Sequence, residues 1–276
     1  LVSFSSLYVI DKFAPRKAVD IIGGWNANVI IGVPIMMKTI ATVSLEKKYD
    51  FSNLRIALVG TGNVDIQTAE SFKNRFKTFI SINYGSTETG GVISRISEEP
   101  RQAIGKEMQG VQVKIVRNDG KEAAVGECGE AFIKCDYMLN EYMDEQNVFD
   151  SEGYFPMGDI MQKDEEGYYY IIGRIKNFIN VGGKKVSPYI VENAILSCPN
   201  IEDCVVLKGK RDNGDEFVKA VVAGKDIDLK IIRSHLSKKL ASYQMPVTFE
   251  IVEQIKRNLV GKHIYNKKGE KTENDK

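Results

Sequence analysis

Residues 82–91 read INYGSTETGG. Three hydroxyls, Ser86, Thr87 and Thr89, and one carboxylate, Glu88, follow closely behind Tyr84. Hydroxyl donors beside a hard oxygen ligand suit phosphate oxygens and Mg2+. A flat tyrosine ring suits stacking on a base. The same residues also suit a plain turn, because Ser and Thr cap helix starts and Glu favours a first turn. Residue types alone leave both readings open.

Two other stretches are candidates for gripping phosphate. LVGTGNVD (58–65) places Gly60 and Gly62 as the first half of a G-x-G-x-x-G fingerprint. Asp65 then occupies the third glycine position, where close helix–strand packing wants a small residue, so a dinucleotide fold is disfavoured. LVGKH (259–263) holds a Gly-Lys pair, but a Walker loop needs Gly at 256 and Ser or Thr at 263, and the sequence has Lys256 and His263. No Ser-His-Asp or Cys-His arrangement stands out by spacing.

These residues need a scaffold. Over residues 1–80 helix and strand patterns alternate: APRKAVDIIGGWN, PIMMKTIATVS and DIQTAESFKNRF have helical spacing, and NLRIALVG and TFISINYG read as strands. ANVIIGVP reads as a buried strand ending at Pro34. Alternation of this kind argues for a largely parallel sheet. From about 103 to 172 paired strand runs surround an NDGK turn and a DEEG turn, which predicts an antiparallel, barrel-like segment. Beyond Arg174, SPYIVENAILSC and DLKIIRSHLSKKLAS predict helices, and DCVVLKGK and FVKAVVAG predict strands of a small α+β domain. The expected fold is therefore α/β and α+β. Residues 1–173 are the later part of a large domain, 174–265 a small mobile domain, and 266–276 a polar, disordered tail.

Composition narrows the function classes. With 38 Lys and Arg against 37 Asp and Glu, the net charge is +1, and no bulk field recruits nucleic acid or anionic lipid. The apolar run VIIGVPIMM is far too short for a membrane span. Cys128, Cys135, Cys198 and Cys204 form no C-x-x-C pair, and His235 and His263 lie far apart in sequence, so no metal site built from cysteine and histidine is expected. Reduced, half-buried thiols in a cytoplasmic protein are the simplest reading.

Taken together, the motifs resemble those of the acyl-adenylate-forming, AMP-binding superfamily, and most of all an acyl-CoA synthetase. The YGSTE cluster is similar to the family core. IGVP (31–34), LRIALVGTGNV (54–64), AIGKEMQGVQVKIV (103–116), GECGEAFIK (126–134), GYFPMGD (153–159), GRIKNFINVGGKKVSP (173–188) and VGKH (260–263) follow in the family's order. The resemblance implies ATP-dependent activation of a carboxylic acid to acyl-AMP, then transfer to the thiol of CoA. By position it implies that Thr87 contacts the α-phosphate and Glu88 binds Mg2+. Gly60, Thr61, Gly62, Tyr84, Gly85 and Ser86 would frame the nucleotide, and Asp159 and Arg174 would hold the ribose hydroxyls. Lys176 would be the hinge of the small domain, Gly182 and Gly183 would lie by the thiol channel, and Lys262 would bridge carboxylate and α-phosphate.

The sequence also departs from the family. Roughly the first half of a member, with the Gly/Ser/Thr-rich loop that grips the β- and γ-phosphates, has no counterpart here. An incomplete part of an enzyme, completed by that half or by self-association, is the expectation. Met157 stands in place of the usual Thr, and Ile190 in place of an acidic residue. Adenylation for a carrier-protein thiol, and a non-catalytic remnant that binds nucleotide or an acyl group, are the alternatives.

Overall fold

The protein is described by a computed structural model covering residues 5–60, 64–98, 100, 102–141, 148–258 and 263–264. Two compact units divide the chain: Leu1–Asn83 with Arg95–Pro100, and Tyr84–Ser94 with Arg101–Lys276. No described helix is long and apolar enough to cross a membrane.

The first unit carries the alternation legible in the sequence: α1 (Pro15–Gly24), β1 (Val29–Gly32), α2 (Pro34–Thr42), β2 (Ile56–Val59), α3 (Ile66–Phe76) and β3 (Ile80–Ser86). β1, β2 and β3 pair in parallel, with Val29 opposite Ile56 and Ala57 opposite Ile80. Proline opens both α1 and α2, where its missing N–H costs nothing. Asp65 caps α3, accepting the Thr68 amide at 2.8 Å and the Thr68 hydroxyl at 2.7 Å. This position therefore serves a cap rather than the glycine of a dinucleotide loop. Phe72 and Phe76 are fully buried with ring centroids 4.5 Å apart. Arg75 ties α3 to the end of α2 through the Ile40 and Val43 carbonyls, at 2.9 and 2.6 Å.

One expectation is corrected here. β1 is not buried: Val29 is 50% and Ile31 76% exposed. Among the described residues it pairs along one edge only, with β2, so its apolar run covers a single half-dressed strand.

In the second unit β4 (Gly90–Arg95) pairs antiparallel with β5 (Lys106–Glu107). Then β6 (Gln112–Val116), β7 (Cys128–Lys134), β8 (Phe155–Lys163) and β9 (Tyr169–Arg174) form an antiparallel four-stranded sheet in chain order. Ile104 and Gly105 bond the outer edge of β9 through Tyr169. The expected turn at Asp164–Gly167 is present, with the Asp164 carboxylate holding the Tyr168 amide and the Tyr170 hydroxyl. The NDGK turn is also present, but a second turn at Ala124–Glu127 lengthens that connection, and Arg117 forks to Asp119 and Glu127 across it.

The rest of this unit holds β10 (Ile179–Val181), β11 (Lys184–Val186), α4 (Pro188–Leu196), β12 (Ile201–Lys210), β13 (Glu216–Gly224), α5 (Leu229–Leu236) and β14 (Thr248–Val252). Val191, Ile195, Val206, Ala220, Val222 and Leu236 lie in one buried cluster. β14, which the sequence patterns above do not single out, pairs parallel with β13. α5 stops at Leu236 rather than running through Ser242; the chain goes on in tighter turns, with the Lys238 amide on the His235 carbonyl at 3.3 Å and the Lys239 amide on the Leu236 carbonyl at 2.9 Å.

Glu192 on α4 accepts the Val206 amide at 2.9 Å. Burial pushes its carboxyl up to about 7, opposed by that amide and by the Arg257 charge. A raised acid favours the folded state while protonated. Its contribution is full below the unfolded value of roughly 4.3 and is lost as pH rises through about 7. Glu192→Gln keeps the accepting oxygen and removes that loss. We expect it to raise unfolding stability at pH 8 by roughly 1–3 kcal/mol, with little change near pH 4.5. Urea titration at both pH values checks this, and an equal shift at both contradicts it.

Candidate functional site

The INYGSTETGG segment is a hairpin corner. β3 ends at Ser86, residues 87–89 turn, and β4 begins at Gly90. Ser86 and Thr89 build the turn: the Ser86 amide donates to Thr89 Oγ1 at 3.1 Å, and Ser86 Oγ accepts the Glu88 and Thr89 amides at 3.2 and 3.3 Å. Thr89 is fully buried. The turn reading therefore holds for these two hydroxyls, although the turn joins two strands and starts no helix. Thr87 is exposed and Glu88 half-buried beside it. A Cβ on Gly85 would collide with the Gly90 carbonyl oxygen, so only glycine allows the two strands this close. The Glu88 carbonyl takes the Leu139 amide at 2.6 Å, and Tyr137 donates to the Gly91 carbonyl at 3.0 Å, which fixes the corner from outside.

Tyr84, at the foot of this corner, meets two residues far along the chain. Its hydroxyl donates to Asp159 Oδ2 at 2.6 Å, and Arg174 Nε donates to Asp159 Oδ1 at 2.7 Å. Asp159 on β8 and Arg174 on β9 are direct cross-strand partners. The Asp159 side chain is 3% exposed and the Arg174 side chain 62%. Burial, then the Asp159 charge and hydrogen bond, push the Tyr84 phenol far up, while Arg174 pulls it down. Burial lowers the Arg174 guanidinium, but its bond and charge attraction to Asp159 more than offset that, so it is raised overall.

A wide bulge aims Asp159. β7 pairs Glu130 with Ile160 and Phe132 with Pro156, so Met157, Gly158 and Asp159 all face Ala131. Gly158 takes φ +68° within the strand, a left-handed step that only glycine makes at low cost. β9 answers with an extra residue, Ile172, whose carbonyl accepts the Ser187 hydroxyl. Gly173 lies so close to Ser187 that a Cβ there would sit 2.6 Å from its Oγ.

The remaining expected residues are more scattered. Gly60 follows β2 directly in the first unit. Lys176 lies in a short 3-10 turn, Ile175–Asn177, just after Arg174. Gly182 and Gly183 form the tip of the β10–β11 hairpin with φ +56° and +82° and open space where Cβ atoms would be. Thr61, Gly62 and Lys262 lie outside the described residues. No group of three or more His, Cys, Asp or Glu side chains among the described residues is arranged to hold a metal. A single carboxylate, Glu88, still fits Mg2+, which keeps several waters and takes its other ligands from phosphates. The Tyr84 hydroxyl bond to Asp159 was not foreseen. Its only sequence signal is a tyrosine, rather than a phenylalanine, at the end of a strand.

The chain matches the AMP-binding enzyme family over residues 3–143 and the AMP-binding enzyme C-terminal domain over residues 190–262. It is 29% identical to acyl-CoA synthetase 7 of Caenorhabditis elegans, over 91% of this chain and 48% of that one. It is 28% identical to the fatty acid–[acyl-carrier-protein] ligase ScoC of Streptomyces coeruleorubidus, over 94% of this chain and 52% of that one. Among solved structures, ATP-bound MatB of Rhodopseudomonas palustris superposes with a TM-score of 0.82 at 26% identity, covering 92% of this chain and 52% of that one. The chain thus spans about half the length of the curated relatives it matches.

Tyr84→Phe leaves Asp159 Oδ2 without its phenol donor at little cost in volume. A hydrogen bond to a charged group is worth about 1.5–3 kcal/mol, so we expect a stability loss of that order at pH 7. The raised phenol contributes stability below its unfolded value of about 10 and loses it as pH rises above that, so the gap between wild type and variant narrows at alkaline pH. Urea midpoints at pH 7 and pH 11 test this; a constant gap counts against it.

Proposed function

Since the chain belongs to the AMP-binding enzyme family, we propose that it supplies the adenosine-binding part of a cytoplasmic acid–thiol ligase. The reaction proposed is ATP-dependent conversion of a carboxylic acid to acyl-AMP, followed by transfer of the acyl group to the thiol of CoA. The observation that carries this reading is the convergence of Tyr84, Asp159 and Arg174. A carboxylate has about four acceptor sites. Tyr84 and Arg174 occupy one site on each Asp159 oxygen, which leaves one on each for the two hydroxyls of a ribose. The Tyr84 ring would frame the adenine, with Gly60, Thr61, Gly62, Gly85 and Ser86 shaping the backbone around it.

The chemistry explains the other roles. A carboxylate oxygen attacks the α-phosphorus, and the bond to pyrophosphate breaks. Two anions must meet in line, so donors and cations aimed at the developing charge lower the barrier. Thr87 at the exposed corner would donate to the α-phosphate, and Glu88 would hold Mg2+, which draws charge from the phosphate oxygens when bound. Lys262 would bridge the carboxylate and the α-phosphate. The thiol sulfur then attacks the acyl carbon, and AMP leaves. The division at residues 173 and 174, with Lys176 as pivot and Gly182 and Gly183 beside the thiol path, belongs to the same proposal. A carrier-protein thiol as acceptor is the second reading, favoured by the similarity to an acyl-carrier-protein ligase.

Calorimetric titration with AMP tests the core of this reading. Asp159→Ala is expected to weaken AMP binding roughly 10- to 100-fold, the equivalent of losing a charged hydrogen bond; an unchanged dissociation constant refutes the assignment. In the catalytically complete enzyme, Lys262→Ala is expected to abolish acid-dependent pyrophosphate exchange while sparing thioester formation from supplied acyl-adenylate. Equal loss of both steps contradicts the role given to Lys262.

A further inference from the structure

The β10–β11 ribbon carries Gly182 and Gly183 at its tip, and among the described residues it pairs with no third strand. A lone two-stranded ribbon is marginal in water, so its direction must be set by what it packs on. Ile179 and Val186, opposite each other at its base, are fully buried in one cluster with residues of α4, β12 and β13. Burial of that one pair fixes where the ribbon starts and leaves its direction free.

Glu216, half-buried at the start of β13, supplies the restraint. Its Oε2 accepts the Asn180 amide at 2.7 Å, and its Oε1 accepts Lys208 Nζ at 2.8 Å. Lys208 stands opposite Val218, two residues on from Glu216, so the two side chains are diagonal neighbours on one face of the β12–β13 hairpin. One carboxylate thus joins a side chain of β12 to a main-chain amide of the ribbon. Burial raises the Glu216 carboxyl, but the Lys208 bond and the Asn180 amide more than offset that and hold it below its ordinary value. A bond from a main-chain N–H to a carboxylate is charge-assisted and short, which suits the pinning of a single peptide. On the other strand of the ribbon, Lys184 Nζ lies 4.6 Å from the centre of the Tyr243 ring.

We propose that Glu216 is a positioning residue for the thiol step: by holding the Asn180 N–H it fixes the direction of the β10–β11 ribbon and so the place of Gly182 and Gly183. Its part in the reaction rests on the reading of that tip given above. Asn180, Lys208 and Glu216 all follow Lys176 in the chain, so a pivot there would carry the ribbon and its anchor together. The tip has no part in adenylation as proposed, so the two half-reactions separate this role from a general loss of stability.

The experiment measures both half-reactions in the catalytically complete enzyme. Misplacing a binding group by about an ångström costs tenfold or more, so Glu216→Ala is expected to raise the CoA KM for thioester formation from supplied acyl-adenylate roughly tenfold. The kcat of that step and acid-dependent pyrophosphate exchange are expected to hold. Glu216→Gln keeps an accepting oxygen but loses the charge, and is expected to fall between wild type and Glu216→Ala. Equal loss in both half-reactions overturns the proposal. NMR on this chain reads the anchor itself: the Asn180 amide proton is expected to shift and to exchange faster in Glu216→Ala. An Asn180 amide indifferent to that substitution overturns the anchor. An amide that is freed while the CoA KM stays unchanged keeps the anchor but removes the thiol-path reading of the tip, and with it the positioning role.

Discussion

A carboxylate with almost no exposure is the constraint around which this molecule is arranged. A buried carboxylate is expensive unless it is hydrogen-bonded, and a phenol and a guanidinium converge on Asp159 from different strands. The convergence needs the foot of one hairpin, a bulge in β8 and the end of β9 at the same point. The Arg174 side chain remains largely exposed while its Nε is committed, so the pair has one dry end and one wet end. Such a half-open charge pair suits a polar ligand better than it suits pure stability, because an exposed cation adds little to folding.

Backbone that only glycine allows is the second constraint. Gly85 and Gly173 serve close approach, letting β3 and β4 touch and Ser187 reach the backbone of β9, whereas Gly158 has open space around it and serves a left-handed step inside a strand. Each stands within a residue or so of a polar group whose direction matters: Tyr84 and Ser86, Arg174, and Asp159.

Much of this was legible in the sequence, and the failures have physical causes. The α/β alternation of the first unit, the antiparallel strands and the DEEG turn follow from periodicity and from local hydrogen-bonding chemistry. The family resemblance pointed to Tyr84, Asp159 and Arg174, and the structure brings these together. β1 was misjudged because apolar composition reports what a strand would bury, not whether a neighbour covers it. β14 was missed because TFEIV is short and mixed, and its pairing partner β13 lies far back in sequence. The Tyr84 bond and the bulge depend on register between distant strands, which no local pattern encodes.

The Ser187 hydroxyl bond to the Ile172 carbonyl joins a residue just before the 3-10 turn at Lys176 to one a short way beyond it. If the proposed pivot at Lys176 operates, Asp159 and Arg174 would stay upstream while Ser187 and α4 would travel. The Ser187 bond would then be exchanged together with the packing of α4 on β9, so the swing would trade a set of contacts rather than one. Tyr84, Asp159 and Arg174 all lie upstream of that pivot and would keep their mutual geometry through it.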